Sequence, residues 1–476
     1  MEQVHICDES NPVAVYTVYT EEYPNIDEIR CMLGVIGFVQ TQDSSMTGPD
    51  TPITPCIIDH KFSGKWMARV MGATIHIILF KGTTSCVDYM LFAGAPDPCA
   101  TGSAEHALCI LESTKTSDKE SRNTAVNQRI IKFTTYFRLY PRSTAIPVMF
   151  WLDANWTLTK LTPTAVFGFK LMTTIGIRLF MNSKDDVVNS ITDMGTVMEI
   201  GPFISVDDMI QCKNNIPEKK GNVSVKLAHR RLLNVKTRVL THVFDVSIKL
   251  DKGKNAFAGK ISHDPNVGLL SGLLNAVDKL EPNSRNIITN HNVLQEYFDK
   301  CPKSKLWYSI HGLHIEFDGI TVNPVPPPLP SQYFVVEHSM TEKLATILCQ
   351  MTSSCATIFS NHGGCALTSV LSENGQSVSV GRTMNRPDIL FADPVKKEIT
   401  IVEGKVESDI RKGVVQLGSA HLSEFVDMVQ SEYPEYTIRR GLCVTIDCIK
   451  NISKYDDLQF PVLFALDASG AYLDRR

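Results

Sequence analysis

Paired-cysteine spacings are missing from this sequence: its 13 cysteines stand singly, with no CxxC and an odd total. That argues against a disulfide framework and predicts reduced thiols, most of them buried as small apolar residues. No apolar run reaches 18 uninterrupted residues, and the most apolar stretch, Val70 to Phe80, is broken by His76. No membrane span, and no membrane partner, is therefore expected. Met1 to Ser10 carry Glu2, Asp8 and Glu9 and have neither a basic segment nor an apolar one. The expectation is a protein that is not secreted and that works in the cytoplasm, or in the nucleus if the source is eukaryotic. A GxxxxGK[ST] loop is also absent, which removes support for energy coupling through ATP.

What is present is ordinary globular usage, 43% hydrophobic and 21% charged over 476 residues. A chain of that length and composition predicts several domains, each able to bury a core. Five prolines between Asn323 and Pro330 disfavour helix and predict a stiff extended linker over 324–330. A polar stretch from Lys213 to Gly221 marks a weaker boundary. The predicted organisation is an N-terminal domain over 1–212, a middle region over 213–323, the linker, and a C-terminal domain over 331–476.

The net charge of −4 hides an asymmetry, because residues 213 to 260 hold twelve Lys or Arg against three acids, a local balance of +9. A segment with such a field predicts a polyanion partner, with Lys219, Lys220, Lys226, Arg230, Arg231, Lys236 and Arg238 placed to grip backbone phosphates.

Periodicity in the last domain predicts a helix over 340–358 that ends at Asn361-His362-Gly363-Gly364. A hairpin should follow, with strands at Asp388–Phe391 and Glu398–Lys405 joined across Asp393 to Lys397. An amphipathic helix over 409–429 and buried strands at 441–446 and 462–465 complete a mixed α/β sheet flanked by helices. Side chains alternate along a strand, so Glu403 and Lys405 share a face, and closing the hairpin brings Asp388 opposite Glu403. Two hard carboxylates on rigid strands suit Mg²⁺ with water and phosphate oxygens as its other ligands. A lysine beside them suits the charge of a phosphodiester under attack.

Pro387, Asp388, Glu403 and Lys405, with Gln416 on the next helix, resemble the PD-(D/E)XK nuclease superfamily, which includes type II restriction endonucleases. The resemblance covers only the core of the last domain, and Gly404 departs from the apolar residue usual there. It implies a multidomain mixed α/β chain with restriction-endonuclease-like cores. The implied activity is Mg²⁺-dependent hydrolysis of DNA, with double-stranded DNA as partner and a homodimer as an option.

A second, similar pattern lies near the N-terminus: a strand over 86–92 bearing Asp88, a Gly- and Pro-rich turn, and a returning strand over 106–115 bearing Glu112 and Lys115. A basic helix over 121–133 follows. Alternation sets Lys115 on the face opposite Glu112 unless a bulge near Ser113 intervenes. Two such cores imply an internal duplication, with Asp88, Glu112 and Lys115 as a second set of metal ligands and charge partner. His291, His311 and His314 lack acidic or Cys partners at ligand spacing, and Trp307 and Tyr308 read as core. The competing function classes are a non-catalytic nucleic-acid-binding or assembly protein on a degenerate nuclease fold, and an RNA endonuclease.

Overall fold

The computed structural model describes residues 14–20, 26–38, 50–51, 53–58, 61–79, 87–96, 104–115, 125–152, 163–181, 201–216, 225–248, 265–289, 355–360, 369–374, 377–380, 384–418, 420–458, 462–467 and 469–475. The linker over 324–330, Lys219, Lys220, His291, Trp307, Tyr308, His311 and His314 lie outside them. The protein is a mixed α/β chain of two compact units. One comprises residues 1–51, 69–76 and 80–332, and so takes in both the N-terminal region and the basic middle region; the other comprises 52–68, 77–79 and 333–476.

In chain order the first part of the molecule contains β1 (Val15–Thr20), α1 (Ile26–Val35), β2 (Thr54–Ile58), β3 (Lys61–Val70), β4 (Ala73–Leu79), β5 (Tyr89–Ala93) and β6 (Cys109–Lys115). Then come α2 (Ala125–Leu139), β7 (Ile146–Leu152), α3 (Pro163–Thr174), β8 (Arg178–Met181), α4 (Val206–Asn214), β9 (Val225–Leu233), β10 (Leu240–Ile248), α5 (Pro265–Leu280) and β11 (Arg285–Thr289). Strands β1, β5, β6, β7 and β8 lie side by side in that order. β5 is antiparallel to both β1 and β6, whereas β6, β7 and β8 are parallel and joined through α2 and α3. Parallel neighbours need such crossovers, and their strands read as near-continuous apolar runs because both faces are covered. Ile110, Leu111, Val148, Met149 and Phe150 are all buried accordingly. β9 and β10 form an antiparallel hairpin, and β11 joins β10 in parallel after α5.

The second unit holds β12 (Ala356–Ser360), β13 (Ser369–Leu371), β14 (Ser377–Ser379), β15 (Ile389–Asp393), β16 (Glu398–Val406), α6 (Ile410–Gly418), α7 (Ala420–Glu432), β17 (Thr437–Ile446), β18 (Val462–Asp467) and β19 (Tyr472–Arg475). Its sheet order is β12-β15-β16-β17-β18-β19. β12, β15 and β16 are antiparallel, and β16, β17 and β18 parallel. Each unit therefore contains one antiparallel strand, an antiparallel hairpin, a helical crossover and two further parallel strands, in the same order of pairing.

Three predicted elements need correction. Ala356, Thr357 and Ile358, assigned above to a helix, form β12: Ile358 and Phe359 are buried, and the strand pairs with β15. Sheet pairing overrides helical periodicity here. The helix expected over 409–429 is two helices, α6 and α7, with Gly418 ending the first. Near the N-terminus the returning strand starts at Cys109, after a 3₁₀ turn at Ala104–His106, and the following helix runs on to Leu139. Its last turns are held from outside by the Tyr136 hydroxyl, which donates 2.6 Å to the Ala104 carbonyl. Among the described residues every cysteine is free, and no helix is long and apolar enough to cross a membrane.

Candidate active site

The hairpin of the second unit turns where its sequence predicts. Asp393 Oδ1 accepts from the amides of Val395 (3.0 Å) and Lys396 (3.1 Å), Pro394 presets φ, and Lys397 takes the left-handed φ of 53° that closes the loop. Register then runs without a break from Asp393 opposite Glu398 to Ile389 opposite Val402. One step further, β15 has ended and Asp388 faces Glu403. The unpaired amide of Gly404 is taken by the Asp388 side chain, with N to Oδ2 at 2.8 Å. The carboxylate thus caps a strand edge that would otherwise leave a polar group unsatisfied, and this fixes its position.

Lys405 completes the group. Its Nζ donates to Glu403 Oε1 at 2.5 Å and to the Gly404 carbonyl at 3.0 Å, and stands 4.0 Å from Asp388 Oδ2. Both carboxylates predicted for this hairpin therefore meet at one ammonium. Glu403 and Lys405 lie on the central strand β16, between β15 and β17, and are nearly buried, while the Asp388 side chain remains 18% exposed. α6 covers the same face, with Gly413 against the lysine stem: a Cβ at Gly413 would fall 2.7 Å from Lys405 Cγ and 2.9 Å from Leu442 Cδ2. We expect Gly413→Ala to push Lys405 off the carboxylates and lower any activity of this centre by about 10-fold to 100-fold, since displacements near 1 Å carry costs of that order. Steady-state kinetics compared with a thermal melt would separate this from simple unfolding. Gln416 lies exposed on α6.

The strand that carries the site is tied down just beyond it. Glu407 accepts from the Asp447 amide (2.7 Å), the Tyr455 hydroxyl (2.7 Å) and the Lys454 ammonium. These bonds, that of Lys454 foremost, hold its carboxyl at about 2, below the ordinary 4.5. A depressed value means that ionised Glu407 contributes stability in full above about 4.5 and loses it as pH falls towards about 2. Glu407→Gln should cost about 1–2 kcal/mol at neutral pH. Urea titrations of both proteins at stepped pH should show that gap closing on acidification.

The first unit repeats the arrangement with different parts. Tyr89 pairs with Leu111, so Asp88, just before β5, faces Glu112, and Asp88 Oδ2 accepts from the Ser113 amide at 3.0 Å. This is the same strand-edge cap as in the second unit. The ammonium comes from elsewhere. The ladder from β6 to β7 shows no register shift between Cys109 and Lys115, so the bulge that would bring Lys115 round to Glu112 is not there. Lys132 of α2 takes that role, donating to Asp88 Oδ1 at 2.9 Å and contacting Glu112 Oε1, while Arg129 lies 3.5 Å from Glu112 Oε2. The expectation for Lys115 is corrected accordingly. Ser113 also donates its hydroxyl to Glu28 of α1 at 2.7 Å.

Lys132 and Glu28 were not singled out by sequence reasoning. Lys132 follows Arg129 by three residues and so shares its helix face, a weak signal that was readable; Glu28 carried none. Glu112 is fully buried, with the Lys132 ammonium against Oε1 and Arg129 3.5 Å from Oε2. Burial, and then the charge of Asp88, push its carboxyl well above the usual range. Burial also raises Asp88, but Lys132 and Arg129, with the bonds from Lys132 and Ser113, outweigh it and hold that carboxyl below its ordinary value.

The basic residues divide. Arg230, Lys236 and Arg238 are exposed on the β9–β10 hairpin, whereas Arg231 is committed to Glu281 (2.8 Å) and Asp207 (3.3 Å). Lys226 lies in β9. Among the described residues no group of three or more His, Cys, Asp or Glu gathers as a metal cluster; each centre offers two carboxylates. No protein-family model, curated protein or solved structure matches the chain.

Proposed function

We propose that the chain is a Mg²⁺-dependent nuclease of PD-(D/E)XK type that hydrolyses phosphodiester bonds in double-stranded DNA with Asp388, Glu403 and Lys405, restriction-type cleavage being the most specific form of this reading. One observation carries it: two carboxylates from one hairpin each lie within 4.0 Å of the same ammonium, at the point where a strand edge is capped by one of them. The donor set fits the ion. Asp388 and Glu403 would hold it through two hard carboxylate oxygens on rigid strands, with water and phosphate oxygens completing its oxygen donors. When bound there, Mg²⁺ would lower the pKa of a water and offset charge on the phosphorus centre.

The chain's own residues do the rest. Asp388 and Glu403 hold the ion's position, and Lys405, between them, is placed to stabilise a non-bridging phosphate oxygen as negative charge builds on it. Arg230, Lys236 and Arg238 supply phosphate contacts that carry no sequence information. The centre of the first unit is read as a closed copy. Lys132 and Arg129 already provide the positive charge, and Glu112, unlike either carboxylate of the second unit, is 0% exposed, which leaves that carboxylate no surface to offer a phosphate. A homodimer would supply one open centre for each DNA strand.

Incubation of the full chain with supercoiled plasmid, and separately with single-stranded RNA, in Mg²⁺ or in EDTA, tests this. Nicking or linearisation that needs the ion supports the reading. Cleavage of RNA alone would move the substrate class, and intact nucleic acid that is nevertheless bound would leave a binding protein on a nuclease-like frame.

A further inference from the structure

The far end of the β9–β10 hairpin is built unlike the rest of the described chain. All ten residues from Arg230 to Val239 are exposed, and none is acidic. At its root the hairpin is anchored: His242, Val243 and Phe244 are buried, His229 and His242 share a hydrogen bond of 2.9 Å, and Arg231 is pinned to Glu281 and Asp207. Its tip is stiff. Asn234 Oδ1 accepts from the amides of Lys236 (3.0 Å) and Thr237 (3.2 Å). The Asn234 amide donates to the Val239 carbonyl (3.0 Å) and that of Arg238 to the Asn234 carbonyl (2.7 Å), with Arg238 at a φ of 55°. This rigid projection places apolar side chains in water, Val235 at 85% and Leu233 at 62% exposed, with Leu232 and Val239 beside them. Among the described residues Arg230, Lys236 and Arg238 have no ion-pair partner.

Short aliphatic side chains flanked by unpaired cations, with the neighbouring acids Glu281 and Asp207 already taken by Arg231, match a partner whose apolar surfaces lie inside an anionic frame. A nucleic acid, with bases between phosphates, is such a partner, and aliphatic wedges that enter base steps are a known way to engage one. A bilayer surface is the weaker match, because interfacial insertion favours Trp and Phe on the apolar side and residues 230–239 contain no aromatic residue. We propose that this hairpin is a probe of the base stack: Arg230, Lys236 and Arg238 hold phosphates while Val235 and Leu233 wedge between bases. Opening an intact stack costs free energy, so the probe favours places where stacking is already broken, such as bulges and mismatches. This rests on the nuclease reading for its class of partner, but its test is read without cleavage.

The full chain is titrated, in EDTA, into a fluorescein-labelled duplex with a central two-nucleotide bulge and into the fully paired duplex, following anisotropy, with 2-aminopurine beside the bulge reporting unstacking. We expect the bulged duplex to bind about tenfold more tightly. The double variant Leu233→Ser with Val235→Ser should lose that preference and the 2-aminopurine signal while still binding paired duplex. Arg230→Gln with Lys236→Gln should weaken both complexes about tenfold and flatten their salt dependence. Equal affinity of the wild-type chain for the two duplexes, or an unchanged preference in the Ser variant, would overturn the proposal. So would binding to phosphatidylserine vesicles in place of DNA. Loss of cleavage with the bulge preference intact would count against the nuclease reading alone, and cleavage without that preference against the probe alone.

Discussion

Asp388→Asn, Glu403→Gln and Lys405→Met are each expected to abolish Mg²⁺-dependent cleavage, with rate losses on the order of 10³-fold or more, while leaving DNA affinity in EDTA within a few-fold of wild type. The size follows from what each group is asked to do. Removing one preorganised charge at a developing anion costs on the order of 10²-fold to 10³-fold, and loss of a carboxylate ligand removes the ion as well. Asp388→Asn is the most discriminating of the three. An amide oxygen can still accept from the Gly404 amide at the position where Asp388 Oδ2 stands at 2.8 Å, so the strand-edge cap survives and only the charge is lost. Single-turnover rates with excess enzyme would report this directly. Asp388→Asn combined with Glu403→Gln should be no worse than the worse of the two alone, since groups that act as a unit are not additive. Asp88→Asn, in the closed centre, should leave the rate unchanged.

Lys132→Met carries the largest expected effect on folding, a loss of about 3–5 kcal/mol, because it strands two buried carboxylates with Arg129 as the cation left beside them among the described residues. The pH dependence has a definite sign. Asp88 is held below its ordinary 3.8 in the folded chain, so its contribution is present above that value and is lost as pH falls. The deficit of Lys132→Met relative to wild type should therefore be full at neutral pH and shrink below about pH 4. Glu112 behaves oppositely. Its carboxyl is raised, chiefly by burial, so its protonated form is the one that favours folding at low pH, and that contribution is lost as pH rises towards the folded value. Glu112→Gln, which mimics the protonated form, should accordingly cost little or add stability at neutral pH. Chemical denaturation of the two variants would give opposite outcomes if the closed centre is held together as described.

Much of the second unit was legible in the sequence because its signals are local. The run Ile389-Leu390-Phe391, the Asp-Pro turn and the apolar strand from Ile399 to Val402 fix a hairpin, and alternation with the turn length places Asp388 against Glu403 and Glu403 beside Lys405. The first unit was legible only in part. Asp88 and Glu112 could be paired by symmetry about a turn, but the ammonium that meets them comes from α2, 17 residues after Lys115, and only tertiary packing brings Lys132 there. Ala356 to Ile358 failed for a related reason: their residue types tolerate helix or strand, and the edge of β15 decides between them. The break at Gly418 was visible as a glycine, but an amphipathic pattern continuing on both sides masked it. The common layout of the two units also emerges only from pairing order, since the segments between equivalent strands differ in length.

The nuclease proposal requires Asp388 and Glu403 to hold a divalent ion together. Anomalous diffraction from crystals of the full chain soaked in Mn²⁺ measures this most directly. A peak is expected in contact with one oxygen of each carboxylate, absent from Asp388→Ala crystals grown and soaked in the same way. A Mn²⁺-soaked wild-type crystal with no peak there, and with the Asp388 and Glu403 side chains directed apart, would contradict it.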